Sequence, residues 1–347
     1  MMLIEENKPL APYTTFGIGG PARWFVEARC EGDIAEATGW AHERHIPLFV
    51  LGGGSNVLIA DAGFDGLVLH IAIKGIEEQD IGASGVLFRV AAGEDWDHFV
   101  QRATGENCAG IECLAGIPGT VGGTPVQNVG AYGQEVSSVI GRVRVFDLQE
   151  RTSAEFDAEH CGFSYRRSRF NSVDAGRFVV MRVDYRLTRG GAPSLVYPDL
   201  QRAFLPEANP SLTEVAEAVL RVRQSKGMLL VDCDPDCRSA GSFFKNPMLP
   251  EDQVDRIAFL AGRQPARFPV GVEGRVKIPA AWLIEQAGFT RGFAIGAAGL
   301  STKHTLALVN RGGATAGEIL ALAAEIRSTV EKKFGVVLRP EPVLVGF

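Results

Sequence analysis

The chain has 347 residues, of which 46% are hydrophobic and 22% are charged, and its formal net charge is −6. This balance is typical of a folded protein, and the length suits two or three domains of roughly 100–200 residues. The negative charge argues against non-specific nucleic-acid binding, and no apolar run approaches the roughly 18 residues of a membrane span. The first nine residues contain two Glu and no apolar signal core. We therefore expect a cytoplasmic protein with neither nucleic acid nor membrane among its partners.

The first part of the chain predicts the order strand, helix, strand, loop, strand. Residues 23–26 are strand-like, residues 31–45 have helical spacing, and residues 46–51 are apolar and strand-like. Three consecutive glycines, Ser55 and Asn56 then precede a further strand at residues 57–59. A Rossmann unit would have a helix after the glycines, so that class does not fit. The uncovered N–H groups of such a loop can wrap a pyrophosphate, and a plain tight hairpin explains the run equally well.

A second region begins near residue 72. It predicts a helix at about 96–106 and three strands, at 86–91, 143–147 and 178–187, the last alternating as a half-solvated strand does. The stretch from Gly110 to Gly133 is rich in glycine, which is too flexible for a packed interior unless a ligand supplies contacts. A solvated surface loop is the alternative, but the apolar residues in this stretch argue against full solvation. We favour a ligand-binding loop.

The last region follows a connection over residues 190–210. Ser211 or Thr213 is expected to cap a helix that runs to about Lys226. Further helices are predicted near 251–261, 279–287 and 315–334, the last ended by Gly335, with strands near 293–295 and 306–309 and a strand-like tail. Six scattered cysteines, including Cys233 and Cys237 in an Asp-rich stretch, lack zinc-site spacing, so no metal is expected.

Three polar residues are candidates for chemistry, although in isolation an ordinary structural role is the better explanation of each. Ser242 lies in the run Gly-Ser-Phe-Phe-Lys-Asn-Pro, whose apolar residues could exclude water, and no hydrolase nucleophile elbow surrounds it. Arg166 could hold a carboxylate through two parallel hydrogen bonds. Glu341 stands between two prolines, which present its carboxylate on a stiff backbone.

The order of these motifs resembles the UDP-N-acetylenolpyruvoylglucosamine reductase family, flavoenzymes of bacterial peptidoglycan precursor synthesis. The resemblance covers nearly the whole chain, and Val196, Tyr197 and Pro198 are similar to the tyrosine-bearing loop of the family's longer subclass. The segments that carry it are Thr14–Gly20, Gly52–Asn56, Gly116–Gly123, Gln127–Gly133, Gly162–Arg166, Gly241–Pro247, Ala280–Gln286 and Glu341.

The resemblance implies an α/β (α+β) fold of three domains, with vanillyl-alcohol-oxidase-type FAD-binding domains followed by a C-terminal substrate-binding domain. We predict the first FAD-binding subdomain at residues 1–71, to which the tail 336–347 returns. The second FAD-binding subdomain is predicted at 72–210, and the substrate-binding domain at 211–335.

The function implied is that of a UDP-N-acetylmuramate dehydrogenase. NADPH would reduce FAD, and the hydride would then pass to C3 of the enolpyruvyl group of UDP-N-acetylglucosamine enolpyruvate, for cell-wall biogenesis and hence cell shape and division. The resemblance makes Ser242 the proton donor to C2, with Arg166 and Glu341 at the substrate carboxylate.

Further residues are assigned to ligands by the same resemblance. The residues implied for substrate are Tyr197, Lys226, Asn246 and Gln286. The residues implied for cofactor are Gly52, Gly53, Gly54, Ser55, Asn56, Gly116, Ile117, Pro118, Gly119, Gly122, Gly123, Asn128, Gly130, Ala131 and Tyr132.

Two alternatives stay open at this point. A flavin-dependent sugar or alcohol oxidase would share the fold, although such enzymes often attach flavin to a His or Cys and no His lies near Gly52–Asn56. A nucleotide-sugar binding module without catalysis would need neither flavin nor Ser242. In either case a UDP-sugar or similar small molecule is the expected partner, and we expect a monomer.

Overall fold

The computed structural model describes residues 2–231 and 234–347, so Cys233 of the Asp-rich stretch lies outside the described residues. The chain divides into two compact units, and neither is continuous in sequence. The first unit comprises the residues up to Lys8 together with Ala22–Gly54 and Phe64–Gln224. The second comprises Pro9–Pro21, Ser55–Gly63 and Ser225–Phe347. The predicted domain boundaries stay a prediction.

The strands are between two and 12 residues long. They are β1 (Glu5–Pro9), β2 (Pro21–Ala28), β3 (Leu48–Leu51), β4 (Val57–Ile59), β5 (Phe64–Ile71), β6 (Ile76–Asp80), β7 (Gly85–Ala91), β8 (Cys108–Ala109), β9 (Gly130–Ala131), β10 (Gln134–Glu135), β11 (Ile140–Asp147), β12 (Thr152–Asp157), β13 (Phe178–Arg189), β14 (Ser239–Ser242), β15 (Met248–Pro250), β16 (Phe268–Pro269), β17 (Arg275–Lys277), β18 (Ala294–Ile295), β19 (Ala298–Leu300), β20 (Ala307–Asn310) and β21 (Val343–Val345). The α-helices are α1 (Glu31–Glu43), α2 (Trp96–Gly105), α3 (Thr124–Gln127), α4 (Pro198–Gln201), α5 (Leu212–Ser225), α6 (Glu251–Ala261), α7 (Ala280–Gln286) and α8 (Ala316–Phe334).

The first unit contains two main sheets. One has the order β1-β2-β5-β3, in which β5 runs parallel to both β2 and β3. The other has the order β12-β11-β13-β7-β6, with β8 added beside β13, and its pairs are antiparallel. Apolar faces of both sheets and of the helices α1, α2 and α5 form one continuous core, which fixes the strand ends and the loops that leave them.

Strand β13 differs from its prediction as a half-solvated strand. Val179, Val180 and Met181 are buried in succession, and a second buried run follows at Val183, Asp184 and Tyr185. Successive side chains of a strand point to opposite faces, so this part of β13 is covered on both. The reason is its central place between β11 and β7, which sequence alternation alone does not reveal.

The second unit contains the sheets β14-β20-β19-β18, β15-β17-β16 and β21-β4. Its core gathers Phe243 and Phe244, which are fully buried, with the apolar faces of α7 and α8. The pairing of β21 with β4 is parallel and joins the C-terminal tail to a strand far away in the chain. The return of the tail to the first FAD-binding subdomain stays a prediction.

Helix caps account for several boundaries. Ser211, rather than Thr213, caps α5, because its hydroxyl accepts the N–H of Glu214 at 3.2 Å while Thr213 lies inside the helix. Thr315 caps α8 through the N–H of Glu318, and Gly335 ends that helix with a left-handed backbone (φ 67°). Ser211 and Gly335 lie where the sequence predicts a helix end, and Thr315, predicted as the first residue of the last helix, is its N-cap.

The Asp-rich stretch before β14 has a structural explanation that its sequence does not suggest. Asp236 is buried and accepts hydrogen bonds from the backbone N–H (3.0 Å) and the hydroxyl (2.5 Å) of Thr302. Asp234 pairs with Lys303 at 2.5 Å, and this hydrogen bond lowers the pKa of the carboxyl. The two carboxylates therefore anchor the approach to β14 on residues 302–303.

The described residues form neither a metal-binding cluster nor a membrane-spanning helix. No group of three or more His, Cys, Asp or Glu within them is arranged to hold a metal ion. None of the helices they form is long and apolar enough to cross a membrane. The cysteines described, which are Cys30, Cys108, Cys113, Cys161 and Cys237, are free thiols.

Candidate active site and cofactor loops

The run after β3 packs against the second glycine-rich loop at backbone distance. A Cβ atom added to Gly53 would lie 2.6 Å from the Cα of Gly119 and 3.0 Å from the backbone N of Thr120. One added to Gly52 would lie 2.8 Å from the Thr120 hydroxyl. Only glycine permits this approach, so the two loops form one cradle within the first unit. Gly54 (φ 60°) turns the chain onward to Ser55 and Asn56, which belong to the second unit.

The second loop is held by the segment that leads into α2. The N–H of Trp96 donates to the carbonyl of Gly119 at 3.1 Å, and the N–H of Val121 donates to Glu94 at 2.9 Å. These bonds flank Thr120, whose own buried hydroxyl has no hydrogen-bond partner among the residues described. A buried hydroxyl without a protein partner is uncommon, and it leaves a hydrogen bond that water or a ligand can make.

The loop residues on either side of Thr120 are partly accessible. Ile117, Pro118 and Gly119 are half-buried, and so is Gly122, whose added Cβ would meet Ala92 at 2.7 Å. A Cβ on Gly123 would meet nothing within 4 Å. The stretch therefore lines a partly open cradle, as expected of a ligand-binding loop and not of a fully solvated one.

Asn128 is fully buried and has a left-handed backbone (φ 45°) at the end of α3. Its amide donates to the Glu135 carboxylate (2.9 Å) and to the carbonyl of Ser164 (3.1 Å). Its oxygen accepts the N–H of Ser137 at 3.1 Å. The side chain thus ties together the segments on either side of Gly130–Tyr132, and its assignment to the cofactor stays a prediction.

Arg166 lies against this same segment of the first unit. Its backbone is left-handed (φ 54°), and its guanidinium donates to the carbonyl of Gly130 at 2.7 Å. Beside Gly130 and Ala131, the Tyr132 ring meets the Tyr197 ring edge to face, with centroids 5.2 Å apart. The structure therefore brings together Arg166, the segment 130–132 and Tyr197, all of which the sequence assigns to cofactor or substrate.

Ser242 and Glu341 are neighbours in the second unit. The N–H of Glu341 donates to the carbonyl of Phe243 at 2.8 Å, and Phe244 forms a β-bridge with Pro340. The Asn56 amide donates to the carbonyl of Glu341 at 3.3 Å. The tail therefore presents its carboxylate-bearing residue beside the serine of the Gly-Ser-Phe-Phe run.

The local fold explains how Ser242 is fixed. It ends β14 opposite Ala307 of β20, and the preceding Gly241 has a left-handed backbone (φ 66°) that favours glycine. The two following phenylalanines are anchored in the core. The Ser242 side chain is half-buried, and its hydroxyl forms no hydrogen bond to any residue in the described part of the chain. It is thus held by its backbone and left available to a ligand.

The remaining predicted substrate residues are spread over the second unit. The side-chain oxygen of Asn246 accepts the N–H of Ala280 at 2.8 Å and so caps α7, the helix that ends at Gln286. Lys226 stands just before Gly227, whose left-handed backbone (φ 63°) packs on Ser301. Their roles toward substrate stay predictions.

A buried histidine near Lys226 was not expected from the sequence. Burial lowers the pKa of His304 to about 4, and the charges of Lys226 and Arg291 add to the effect. This region of the second unit is therefore positive without the histidine being charged. Thr120 was missed as well, although its place between Gly119 and Val121 could have drawn attention to it.

The glycine cradle contains a buried hydroxyl, that of Thr120, with no partner among the described residues. Together with the family comparisons, it places the chain in the class of flavin-binding oxidoreductases. Residues 22–151 match the model of an FAD binding domain. Residues 234–345 match the model of the UDP-N-acetylenolpyruvoylglucosamine reductase C-terminal domain. The cradle offers uncovered glycine backbone at Gly52, Gly53 and Gly119 and the buried Thr120 hydroxyl, groups that suit a phosphate-bearing cofactor, and it lies within the residues matched to the FAD binding domain. The assignment of these residues to FAD stays a prediction.

The similarity to this reductase family covers nearly the whole chain. The reductase of Thermobifida fusca is 45% identical over 350 residues, covering 98% of both chains, and that of Streptomyces coelicolor is 47% identical over 351 residues, covering 98% of this chain and 90% of the other. The crystal structure of the Thermus caldophilus enzyme superposes with a TM-score of 0.69 at 25% identity, covering 99% of this chain and 100% of that one. The chain therefore belongs to the UDP-N-acetylenolpyruvoylglucosamine reductase family.

Membership decides between the alternatives. The chain is an oxidoreductase of peptidoglycan precursor synthesis that uses FAD and NADPH, and not an oxidase or a binding module. The expected α/β (α+β) flavoprotein, with vanillyl-alcohol-oxidase-type FAD-binding domains and a C-terminal substrate-binding domain, is confirmed.

Proposed function

We propose that Ser242, Glu341 and Arg166 carry out the reduction of the enolpyruvyl group of UDP-N-acetylglucosamine enolpyruvate to UDP-N-acetylmuramate. The observation that supports this most is the hydrogen bond from the Glu341 N–H to the carbonyl of Phe243, which sets Glu341 beside Ser242. When bound, FAD carries the hydride of NADPH to C3 of the enolpyruvyl group. The protein must then manage the charge and the proton that the reaction requires.

Hydride addition at C3 leaves negative charge at C2, which spreads into the adjacent carboxylate. Fixed donors aimed at that charge stabilise the transition state. The planar guanidinium of Arg166 suits a carboxylate, and its contact with the Gly130 carbonyl fixes its direction. Glu341 completes the carboxylate site by sharing a proton with the substrate carboxylate, because two bare carboxylates side by side would repel each other.

The reaction ends with a proton at C2, and Ser242 supplies it. Its hydroxyl is a weak acid, but the enolate at C2 is a strong base, so the transfer is favourable. The hydroxyl is not engaged by the described part of the protein, and the buried phenylalanines beside it limit water. Because the donor is held in one place and water is limited there, the proton is delivered to C2 and to one face of that carbon.

Four further residues are assigned to the other groups of the substrate. We assign Lys226 to the diphosphate as a point charge, and Tyr197, Asn246 and Gln286 to the diphosphate, sugar or uridine. The charge of Arg291 and the neutral state of His304 support a site for phosphate near Lys226. We also infer a cytoplasmic monomer whose substrate is a UDP-sugar, not nucleic acid.

Stopped-flow measurement of the two half-reactions tests the role of Ser242. In Ser242→Ala, NADPH should still bleach the flavin at the normal rate, since no proton donor to substrate is needed there. Reoxidation by the enolpyruvyl substrate should fall by about 10²–10⁴-fold, the usual effect of losing a general acid. Ser242→Cys, which keeps an S–H donor, should retain part of this rate. If the alanine variant performs both half-reactions at the normal rate, Ser242 is not the donor.

The same measurement tests Glu341. In Glu341→Gln and Glu341→Ala the flavin should again be reduced normally, and the second half-reaction should slow because the carboxylate site is incomplete. The backbone bond to Phe243 is kept in both variants, so the geometry around Ser242 is preserved. Unchanged reoxidation in both variants would remove Glu341 from the reaction.

A further inference from the structure

One buried cation of the first unit has no role in the reaction described so far. Arg223, on α5, is 7% exposed. Arginine is rarely buried to this extent unless it is paired, because removing its charge from water costs several kcal/mol. The groups that Arg223 contacts therefore indicate why it is retained.

The first contact is with the cofactor loop. The Nε of Arg223 donates to the carbonyl of Gly116 at 3.0 Å. The N–H of the same Gly116 donates to the carboxylate of Asp97, in the first turn of α2. The first glycine of the 116–123 loop is thus held by a cation through its oxygen and by an anion through its nitrogen.

The second contact is with the other segment assigned to the cofactor. The Tyr132 side chain is hydrogen-bonded to Arg223, and Tyr132 in turn packs against the Tyr197 ring. Burial lowers the pKa of Arg223, and the contacts with Tyr132 and Asp97 oppose that effect. Arginine keeps its charge in proteins, so the positive charge persists where the two segments meet.

We propose that Arg223 is a positioning residue that aligns the loops 116–123 and 130–132 for FAD and places a buried positive charge beside them. The proposal rests on the assignment of these loops to the cofactor. Reduced flavin is anionic at neutral pH, and a cation held in a low-dielectric interior stabilises an anion more than it would in water. Arg223 should therefore strengthen FAD binding and raise the reduction potential of the flavin.

The test compares Arg223→Met and Arg223→Lys with the wild-type holoenzyme. Flavin fluorescence released on dilution gives the FAD dissociation constant, and dye equilibration gives the midpoint potential. Arg223→Met should raise the dissociation constant about tenfold or more, as expected for losing a buried hydrogen bond from a charged group. Its potential should also become more negative. Arg223→Lys keeps the charge but not the fork of donors, so its potential should stay near wild type while FAD binding is weaker.

Arg221→Met is the matched control, because Arg221 lies on the same helix with its side chain 65% exposed and pairs with Glu217. It should leave both FAD readings unchanged. Lower thermal stability of Arg223→Met with unchanged FAD affinity and potential would show a purely structural role and overturn the proposal. If Arg223→Met does not fold, an Arg223→Lys enzyme that folds with wild-type FAD affinity overturns it equally. The Ser242 test is independent of these results, because it measures proton transfer to the substrate in an enzyme that keeps Arg223.

Discussion

At Gly53 a single methyl group decides whether two loops can meet. Its added Cβ would lie 2.6 Å from the Cα of Gly119, a backbone atom that cannot rotate away. Gly53→Ala should therefore separate the loops and, on the proposed assignment of this cradle to FAD, weaken FAD binding. We expect at least about a tenfold rise in the FAD dissociation constant, equivalent to 1.4 kcal/mol. The ratio of flavin to protein absorbance in the purified enzyme measures this directly.

Gly105→Ala provides the control for this substitution. Gly105 ends α2 in solvent, and a Cβ added there would meet nothing within 4 Å. That variant should keep a full complement of flavin. Full flavin content in Gly53→Ala as well would mean that the loops tolerate the extra separation, and the cradle would then not be the FAD site.

Single residues were the hardest part of the site to predict from sequence. Ser242 and Glu341 lie almost a hundred residues apart, and no local pattern shows that the tail bonds to Phe243. Their roles came from the order of motifs over the whole chain. Thr120 and Arg223 were missed, because a lone Thr or Arg has no sequence signature for burial, and burial is what makes both of them informative.

At the scale of elements, α8 shows how fully a helix start can be specified. Asp61 accepts the N–H groups of Ala316 (2.8 Å) and Gly317 (3.1 Å), and the Thr315 hydroxyl accepts that of Glu318 (3.1 Å). These N–H groups have no partner within the helix itself. Thr315→Ala should lower the free energy of unfolding by about 1 kcal/mol, which urea titration would detect as a lower midpoint with an unchanged slope.

Ser328→Ala, within the same helix, separates loss of the cap from a change of helix propensity. Alanine is the better helix former, so this variant should be as stable as wild type or slightly more so. Equal stability of the Thr315→Ala variant and wild type would show that Asp61 alone is enough to cap α8.

Helices were predicted more closely than strands, for a physical reason. The ends of α6 and α8 are encoded locally by caps and by glycines in left-handed conformation, as at Gly262 and Gly335. Strands depend on partners elsewhere. The sequence analysis does not predict β5, and it predicts β13 with one solvent-exposed face. Both strands have a neighbouring strand on each side in their sheets. Central strands are apolar on both faces and lose the alternation that identifies a strand.

At the scale of the molecule, local patterns cannot show that the units are discontinuous. Residues 9–21 and 55–63 belong with the C-terminal half, and β21 pairs with β4 across nearly 300 residues of sequence. Each of these pieces is too short to form a core alone. The family resemblance predicts that the tail returns to the first FAD-binding subdomain, and it does not predict the pairing of β21 with β4. The domain assignment of the tail stays a prediction.

The stability of the whole chain should depend on His304 in mildly acidic solution. Burial lowers the pKa of this imidazole from 6.5 to about 4, with Lys226 and Arg291 adding to the shift. Between these two values the unfolded chain binds a proton at His304 that the folded chain does not. Stability therefore rises with pH across this window, and it falls as the pH drops from about 6.5 to 4.

His304→Gln removes this one proton from the balance between folded and unfolded states. The free energy of unfolding of wild type should fall by on the order of 2 kcal/mol more than that of the variant when the pH drops from 7 to 4.5, since each pKa unit corresponds to about 1.4 kcal/mol. Urea titrations of both proteins at several pH values measure the difference in their free energies of unfolding. The contribution of the carboxylates, which is common to both proteins, drops out of this difference. His42→Gln, at an exposed position of α1, should parallel wild type. If the free energy of unfolding of His304→Gln and of wild type changed with pH in parallel, the pKa of His304 would be the same in the folded and unfolded chains. Burial would then not keep His304 neutral, and the positive region around Lys226 would gain a further charge in acid.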